Sequence, residues 1–210
     1  MAVKIKICGI TSLADAWAAH DAGADAMGLV FYPGSPRAVT PQQVAQWRGD
    51  LPPFMTVVGL FVNATAQWIA STTALCSLDR IQLHGDESPA QCRAWGARAI
   101  RAIRVAEAAD LHDLARWPVG ALLLDAKIKG SYGGTGACFD WQLLGQAELP
   151  KPWILAGGLD PDNVEAAVRQ VQPYGVDVSS GVESAPGKKD HNKMHRFVAA
   201  VRRAQDGAGL

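Results

Sequence analysis

The sequence predicts a closed (β/α)8 barrel, and three observations support this prediction. Short apolar runs alternate with helix-forming segments along the whole chain, as expected when parallel strands are joined by helices. Eight such strand-helix units fit into the 210 residues, and eight units are what this barrel needs to close. Several runs are almost continuously apolar, which is typical of strands covered on both faces. A doubly wound open sheet is the structural alternative, but it seldom has eight such evenly spaced units.

The composition favours a single domain with one sizeable core. Hydrophobic residues make up 49% of the sequence, and no linker-like stretch rich in Pro, Gly and Ser divides it. No window approaches the roughly eighteen consecutive apolar residues that a membrane-spanning helix needs. We therefore expect residues 1–210 to form one soluble domain that has no membrane partner.

The charge and cysteine content exclude several classes of partner. Lys plus Arg and Asp plus Glu number 20 each, so the basic excess that nucleic-acid binding needs is missing. The four cysteines form neither a Cys-x-x-Cys motif nor a Cys/His pair, which argues against zinc and against a disulfide framework. We expect a cytoplasmic protein that binds a small molecule and no metal.

Helix and turn signals separate the predicted strands. The first strand ends at Cys8, and the first helix, over residues 12–22, stops at Gly23, a residue type that ends helices. Thr40 and Pro41 open the second helix, because Thr is a good N-cap and Pro suits the first turn. The later strands are predicted over residues 26–31, 56–62, 80–84, 99–105, 119–125, 152–156 and 175–179. The later helices are predicted over residues 64–75, 88–95, 107–116, 139–145, 160–171 and 190–204.

Polar side chains gather where several predicted strands end, which is the end of a (β/α)8 barrel that carries the active site. The residues that alternate with them are apolar and suit the helix-facing side of each strand. We therefore expect the polar set to point into the barrel, with Cys8 and Asp125 facing each other across it. The polar set consists of Cys8, Gln82, His84, Asp125, Asp177 and Ser179.

A thiol and a carboxyl group in one pocket suit a reaction that removes a proton at one point and donates a proton at another. Such a reaction needs no cofactor. Lys6 would help Cys8 to act as a base by lowering the pKa of the thiol. Cys8 as a small buried residue and Lys6 in an ion pair with Asp177 remain open alternatives. For Asp125, a helix N-cap or a partner of Lys127 is the alternative.

Two glycine-bearing loops predict an anion site. Gly157 and Gly158 follow strand seven, and Ser180 and Gly181 follow strand eight. In (β/α)8 barrels these two loops often hold a phosphate group, because glycine lets backbone N–H groups approach the oxyanion. His84 is either a ligand-binding residue or a hydrogen-bonded structural histidine.

Motifs from the first strand to the last helix occur in a familiar order: KICGI at 6–10, GADAMG at 23–28, QLHG at 82–85, GGTG at 133–136, FDW at 139–141, DVSSGVE at 177–183 and PGKKD at 186–190. These motifs resemble the phosphoribosylanthranilate isomerase family of tryptophan biosynthesis. The resemblance covers essentially the whole chain.

The resemblance implies an Amadori rearrangement of N-(5-phosphoribosyl)anthranilate to 1-(2-carboxyphenylamino)-1-deoxyribulose 5-phosphate, without a cofactor. It implies that Asp125 is the general acid, which protonates the ring oxygen, and that Cys8 is the general base, which removes a proton from the adjacent sugar carbon. It also implies that Arg37 meets the anthranilate carboxylate, a pairing that guanidinium geometry favours. We expect His84 and Asp177 to bind the substrate as well, and the two glycine-bearing loops match the family's phosphate site.

Other functions remain open at this point. An aldolase-type barrel would use Lys127 as a Schiff-base lysine, and a metabolite-binding barrel would bind the ligand without turnover. Ala137 and Cys138 stand where many relatives have a basic and a hydroxyl residue, so no substrate contact is predicted from these side chains. Related isomerases of histidine biosynthesis use two aspartates, so Cys8 favours the tryptophan pathway without excluding dual activity. A monomer and a homodimer are both compatible with the sequence.

Overall fold

A closed parallel barrel is the central feature of the computed structural model, which describes residues 2–126 and 152–206 together with Trp141, Leu144 and Leu149. Eight strands are hydrogen-bonded to one another in chain order, and the eighth pairs with the first. The predicted (β/α)8 barrel is therefore confirmed, and the alternative of a doubly wound open sheet is excluded. The strands are β1 (Lys4–Cys8), β2 (Ala26–Val30), β3 (Thr56–Phe61), β4 (Arg80–Leu83), β5 (Ala99–Val105), β6 (Ala121–Ala126), β7 (Trp153–Ala156) and β8 (Gly175–Val178).

The second helix begins directly after Thr40, the N-cap that the sequence predicts, whereas the helix predicted from residue 160 begins at Val164. Thr40 and Ser88 each form a capping box. The cap hydroxyl accepts a hydrogen bond from the backbone N–H of a Gln three residues later, and the side chain of that Gln accepts one from the backbone N–H of the cap. In the described part of the chain, no helix is both long and apolar enough to cross a bilayer. The helices are α1 (Leu13–Asp21), α2 (Pro41–Trp47), α3 (Ala66–Leu75), α4 (Pro89–Arg93), α5 (Val164–Val171) and α6 (His191–Asp206).

Two segments differ from the predicted elements. The helix predicted over residues 107–116 is instead a pair of 3-10 turns, Ala108–Leu111 and Leu114–Arg116, because Asp113 between them takes a left-handed conformation with φ of 54°. A short hairpin that the sequence did not predict, β9 (Glu183–Ala185) with β10 (Lys188–Lys189), follows β8. The loop over 127–136, the helix predicted over 139–145 and the two positions 137 and 138 lie outside the described residues, except for Trp141 and Leu144.

The alternation of side chains along the strands divides the core into two layers. The helix-facing layer contains the apolar neighbours of the polar strand ends, namely Ile7, Ile81, Leu83, Leu124, Val176 and Val178. A smaller cluster fills the barrel interior and consists of Val58, Ile100, Ala102, Leu123 and Ala156. The apolar set thus faces the helices, as predicted, which leaves the polar set to point inward.

A buried ion pair fixes the loop that follows β4. Arg101 and Glu87 are only 7% and 4% exposed, and Arg101 Nη1 donates to Glu87 Oε2 at 2.7 Å. Arg101 also donates to the carbonyl oxygens of Leu83 and Gly85, and Glu87 accepts from the backbone N–H groups of Gly85 and Asn63. The backbone on both sides of His84 is therefore held by one hydrogen-bonded network, in which the buried Arg101 Nε has no partner among the described residues.

Removing one partner of this pair is expected to destabilise the fold strongly. Arg101→Ala leaves the Glu87 carboxylate buried without its cation, which typically costs about 3–5 kcal/mol. Urea unfolding followed by circular dichroism measures this loss. Arg104→Ala is the matched control, because Arg104 lies on the same strand with 56% of its side chain exposed and a 4.0 Å ion pair to Asp86. A change below about 1 kcal/mol is expected there, and equal effects of the two variants would contradict the account.

Candidate active site

A cavity of about 390 Å³ opens at the C-terminal ends of the strands. Eight of the nine side chains or glycines predicted to form the site lie in its wall: Cys8, Arg37, His84, Asp125, Gly157, Gly158, Asp177 and Ser180. Gly181 is the exception. It lies in the 3-10 turn Ser180–Val182, where a Cβ would overlap the carbonyl oxygen of Leu159.

The Cys8 thiol lies inside the barrel at the end of β1, with 5% of the residue exposed. Burial raises the pKa of Cys8 above its ordinary value, although Lys6 and Lys189 oppose the increase. Lys6 does lower the pKa of this thiol, as predicted, but its contribution is smaller than the opposing ones together, so the net pKa is raised. Lys6 favours the thiolate, but the loss of hydration and the nearby Asp177 carboxylate disfavour it.

Lys6 and Asp177 form the ion pair that the sequence left open. The two residues are in register between β1 and β8, and Lys6 Nζ donates to Asp177 Oδ1 at 2.8 Å. Burial by itself would lower the pKa of Lys6, but Asp177 and Cys8 outweigh it and raise the pKa. Lys6 thus remains a cation beside the thiol. Asp177 still contributes to the cavity wall, where one of its oxygens is engaged by Lys6.

Asp125 lies close to His84, which is itself held by Gln82. The His84 Nε2 atom is 3.4 Å from Asp125 Oδ2, and Gln82 Nε2 is 3.0 Å from His84 Nδ1. Gln82 is completely buried in the barrel. Because its amide nitrogen donates to Nδ1, a neutral His84 ring carries its hydrogen on Nε2, facing Asp125. His84 is thus hydrogen-bonded within the protein and also lies in the cavity wall.

Arg37 lies in the loop after β2 and is paired with a carboxylate of the β9–β10 hairpin. Its Nε and Nη2 atoms donate to Glu183 Oε1 and Oε2 at 2.7 and 2.6 Å, which is bidentate geometry. Lys189 Nζ donates to Glu183 Oε1 at 2.9 Å. Burial alone would raise the pKa of Glu183, but hydrogen bonds from Arg37 and Lys189 outweigh it and lower the pKa. Glu183 is therefore ionised at neutral pH.

The loop after β7 has the backbone conformation that only glycine adopts easily. Gly157 and Gly158 have φ values of 90° and 65°, both in the left-handed region. No heavy atom lies within 4 Å of the position that a Cβ of Gly158 would take. The backbone of this loop is consequently open toward the cavity, beside Ser180 of the following loop.

The sequence as a whole matches one protein family. The family model for N-(5'-phosphoribosyl)anthranilate (PRA) isomerase matches residues 5–200. The chain belongs to this family. An N-(5'-phosphoribosyl)anthranilate isomerase of Acidithiobacillus ferrooxidans is 54% identical to it over 202 residues, which cover 95% of this chain and 98% of that protein.

Solved structures of the PRA isomerase family agree with the barrel described above. One of them is a complex with reduced 1-(o-carboxyphenylamino)-1-deoxyribulose 5-phosphate. It matches with a TM-score of 0.83 and 37% identity, and the match covers 96% of this chain and 99% of that chain. Another contains monomers generated from a dimeric phosphoribosylanthranilate isomerase of Thermotoga maritima. It has a TM-score of 0.80 and 35% identity, with the same coverage of both chains.

Three residues around the site have roles that sequence reasoning did not assign. Gln82 is one of the polar residues at the strand ends, but nothing in the local sequence shows that it holds His84. Glu183 and Lys189 lie within the family's motifs, yet Glu183 is bonded to Arg37 across 146 positions of the sequence, and Lys189 is bonded to Glu183. Only their place directly after the last strand of the barrel could have suggested a connection to the site.

A second, larger cavity lies at the opposite end of the barrel, away from the residues with acid-base chemistry. It measures about 650 Å³ and is lined at the N-terminal ends of the strands by residues such as Lys4, Thr56 and Arg80. Phe54, also in its wall, is 95% exposed. Within the described residues, no group of three or more His, Cys, Asp or Glu side chains is arranged to hold a metal ion.

Proposed function

We propose that Cys8 and Asp125 are the general base and general acid of the PRA isomerase reaction in this chain. The chain is an isomerase of tryptophan biosynthesis that acts on N-(5-phosphoribosyl)anthranilate. The observation that supports our assignment is that one cavity of about 390 Å³ has a thiol, a carboxyl group, a guanidinium group and a glycine loop in its wall. These groups match a substrate with a sugar, a carboxylate and a phosphate.

The reaction begins with two proton transfers between the enzyme and the substrate, and a final tautomerisation moves a proton from the enol hydroxyl to the nitrogen-bearing carbon. In the first, Asp125 gives a proton to the furanose ring oxygen, the bond from that oxygen to the anomeric carbon breaks, and the nitrogen lone pair forms an iminium. In the second, Cys8 removes the proton from the adjacent sugar carbon, and the electron pair of that C–H bond neutralises the iminium to an enolamine. Ketonisation of the enolamine gives the product. The overall change is an isomerisation, so no external oxidant or reductant is needed.

The remaining residues of the cavity wall position the substrate. Arg37 binds the anthranilate carboxylate, and the backbone N–H groups after β7 and β8, at Gly157, Gly158, Ser180 and Gly181, bind the phosphate. His84, with its hydrogen on Nε2, holds the Asp125 carboxyl in place and contacts the sugar. Asp177 keeps Lys6 beside the thiol and offers its other oxygen to a sugar hydroxyl.

The isomerase activity is tested by following the fluorescence of freshly generated phosphoribosylanthranilate as it is consumed. The purified chain should consume this substrate and form the 1-deoxyribulose product. Reduction with borohydride in the presence of a carbonyl substrate distinguishes this reaction from that of an aldolase that uses Lys127. An aldolase would be trapped as a covalent product, whereas the isomerisation forms no imine with the enzyme. Trapped covalent product, or binding without any conversion, would contradict the proposal.

We also propose that the whole chain forms this one domain and acts as a homodimer joined at the N-terminal end of the barrel. A dimeric relative supports this proposal. So do the exposed Phe54 ring and the cavity of about 650 Å³ beside it, because a two-fold axis would bring the ring of each copy to the cavity of the other. The free buried thiols of Cys8, Cys76 and Cys92 support a reducing compartment, which we propose is the cytoplasm.

Replacing Phe54 with aspartate is expected to favour the monomer. An aromatic side chain at the centre of an interface typically contributes at least 2 kcal/mol, so the dissociation constant of the dimer should rise about 30-fold or more. Analytical ultracentrifugation over a concentration series measures it. Trp68→Asp is the control, since Trp68 is also partly exposed (43%) but lies on α3. A native chain that is monomeric at all concentrations would contradict the dimer.

A further inference from the structure

We propose that Glu183 is a positioning residue that fixes the Arg37 guanidinium and thereby gives the enzyme its selectivity for a substrate that bears an aryl carboxylate. The β9–β10 hairpin that carries Glu183 would then belong to the substrate-recognition machinery, although it makes no contact with the substrate. This inference rests on the proposed function, in which Arg37 binds the carboxylate.

The hydrogen bonds of Glu183 determine which edge of Arg37 is available. Glu183 occupies the Nε–Nη2 edge of the guanidinium fork, with both contacts at 2.7 Å or less. The other edge of the fork, formed by Nη1 and Nη2, is left to face a ligand. Since the fork is planar and rigid, fixing one edge also fixes the direction of the other. An incoming carboxylate therefore meets a donor pair that is already oriented.

Glu183 itself is placed to orient and not to react. It is 7% exposed, and both carboxylate oxygens accept hydrogen bonds from Arg37 or Lys189. It is also absent from the wall of the cavity that contains Cys8 and Asp125. Both oxygens are thus already engaged by cations, which suits an orienting role better than proton transfer to the substrate.

Lys189 explains why this pairing does not cancel the attraction for an anion. One carboxylate and one guanidinium would sum to zero charge, but the Lys189 ammonium, whose side chain is fully buried, brings the three-residue cluster to a net charge of +1. The Lys189 charge cannot reach the ligand, so it compensates Glu183 and leaves the outer edge of Arg37 attractive to a carboxylate.

The hairpin and its neighbours hold this cluster in place. Lys193 Nζ donates to the carbonyl oxygen of Glu183 at 2.9 Å, and Thr11 Oγ1 donates to the carbonyl oxygen of Gly187 at 2.8 Å. The backbone of Gly187 lies so close to the Arg37 loop that a Cβ there would be 2.8 Å from the carbonyl oxygen of Pro36. The carboxylate and the guanidinium are thus fixed by contacts on both sides.

The experiment compares the binding affinities of two ligands by calorimetry. One is reduced 1-(o-carboxyphenylamino)-1-deoxyribulose 5-phosphate, and the other is the same molecule without the ring carboxylate. Glu183→Gln keeps the shape of the side chain but presents an amide N–H to the guanidinium. We expect it to weaken binding of the carboxylated ligand about tenfold and of the other ligand less than about twofold. In steady-state kinetics, KM should rise while kcat changes little.

Two further variants separate positioning from a general structural effect. In an Arg37→Ala background, Glu183→Gln should cause no further loss of selectivity, because the group that it orients is gone. Glu165→Gln is the matched control, since Glu165 also forms ion pairs with two arginines, Arg169 and Arg203, but on the outer surface of α5. It should bind both ligands as the native chain does.

Several outcomes would overturn the inference. Equal weakening of both ligands by Glu183→Gln, or unchanged selectivity, would show that Glu183 does not orient the Arg37 guanidinium. If this variant does not fold, Arg37→Lys replaces it, because a lysine keeps the charge but offers no fork to orient. Selectivity retained in Arg37→Lys would also overturn the proposal. A native chain that does not prefer the carboxylated ligand would instead contradict the proposed role of Arg37.

Discussion

Replacing Cys8 with serine is expected to lower kcat by about 10²- to 10⁴-fold while KM changes little. A hydroxyl group is a much weaker acid than a thiol, so serine cannot supply the anion that removes the sugar proton. The loss corresponds to about 3–5 kcal/mol of transition-state stabilisation. The two side chains are similar in size and binding relies on other residues, so the ground-state complex should survive. The fluorescence assay under saturating substrate measures kcat directly.

If Cys8 is the base, the kcat/KM of the native enzyme should increase with pH. Cys8 must be deprotonated to act, and burial raises the pKa of its thiol even though Lys6 and Lys189 oppose the shift. At neutral pH the thiolate is thus a minor form. We expect kcat/KM to rise as the pH increases from neutral toward the alkaline range. A rate that falls over this range would contradict the role of Cys8 as base.

Cys92→Ser is the matched control for this experiment. Cys92 is as deeply buried as Cys8 but lies on α4, outside the cavity wall. The control should keep near-native kcat, even if its free energy of unfolding falls. Near-native turnover by a folded Cys8→Ser variant would show that another group removes the proton.

The second large effect is expected for Asp125→Asn. Asparagine has nearly the same shape as aspartic acid but has no acidic proton to give to the ring oxygen. Without that proton the ring oxygen must leave as an alkoxide, so kcat should fall by about 10²- to 10⁴-fold with little change in KM. The contact with His84 Nε2, at 3.4 Å from the carboxyl oxygen, can be kept by the amide oxygen. The variant therefore tests chemistry more than structure.

Asp113→Asn is the control for the acid. Asp113 lies between the two 3-10 turns with 67% of its side chain exposed and a left-handed backbone, which asparagine tolerates well. Its substitution should leave kcat unchanged. If Asp125→Asn retained turnover within a few-fold of the native chain, ring opening would have to be catalysed by another group.

Most of the barrel could be predicted because its signals are local. Apolar runs separated by caps such as Thr40 and Ser88 define the units, and the period of two along each strand separates Cys8 and Asp125 from their apolar neighbours. The pairing of Lys6 with Asp177 was one of two alternatives that the sequence left open, and closure of the barrel explains it, because the first and last strands are neighbours.

Other features depend on long-range contacts and on the balance of opposing energies. The pairing of Arg37 with Glu183 joins a loop after β2 to a hairpin after β8, and no periodicity connects them. The pKa of Cys8 is raised by burial and one carboxylate and lowered by two cations, and the relative sizes of these effects depend on distances that a sequence does not contain. The turns around Asp113 replaced a predicted helix because one residue adopted a left-handed conformation.

The most direct test of the assigned roles is the deuterium isotope effect on single turnovers of substrate deuterated at the sugar carbon from which Cys8 removes the proton. The account predicts that Cys8→Ser increases this effect, because proton removal then limits the rate. It predicts that Asp125→Asn suppresses it, because ring opening then limits the rate. The reverse pattern, or no isotope effect in Cys8→Ser, would contradict the assignment of Cys8 as base and Asp125 as acid.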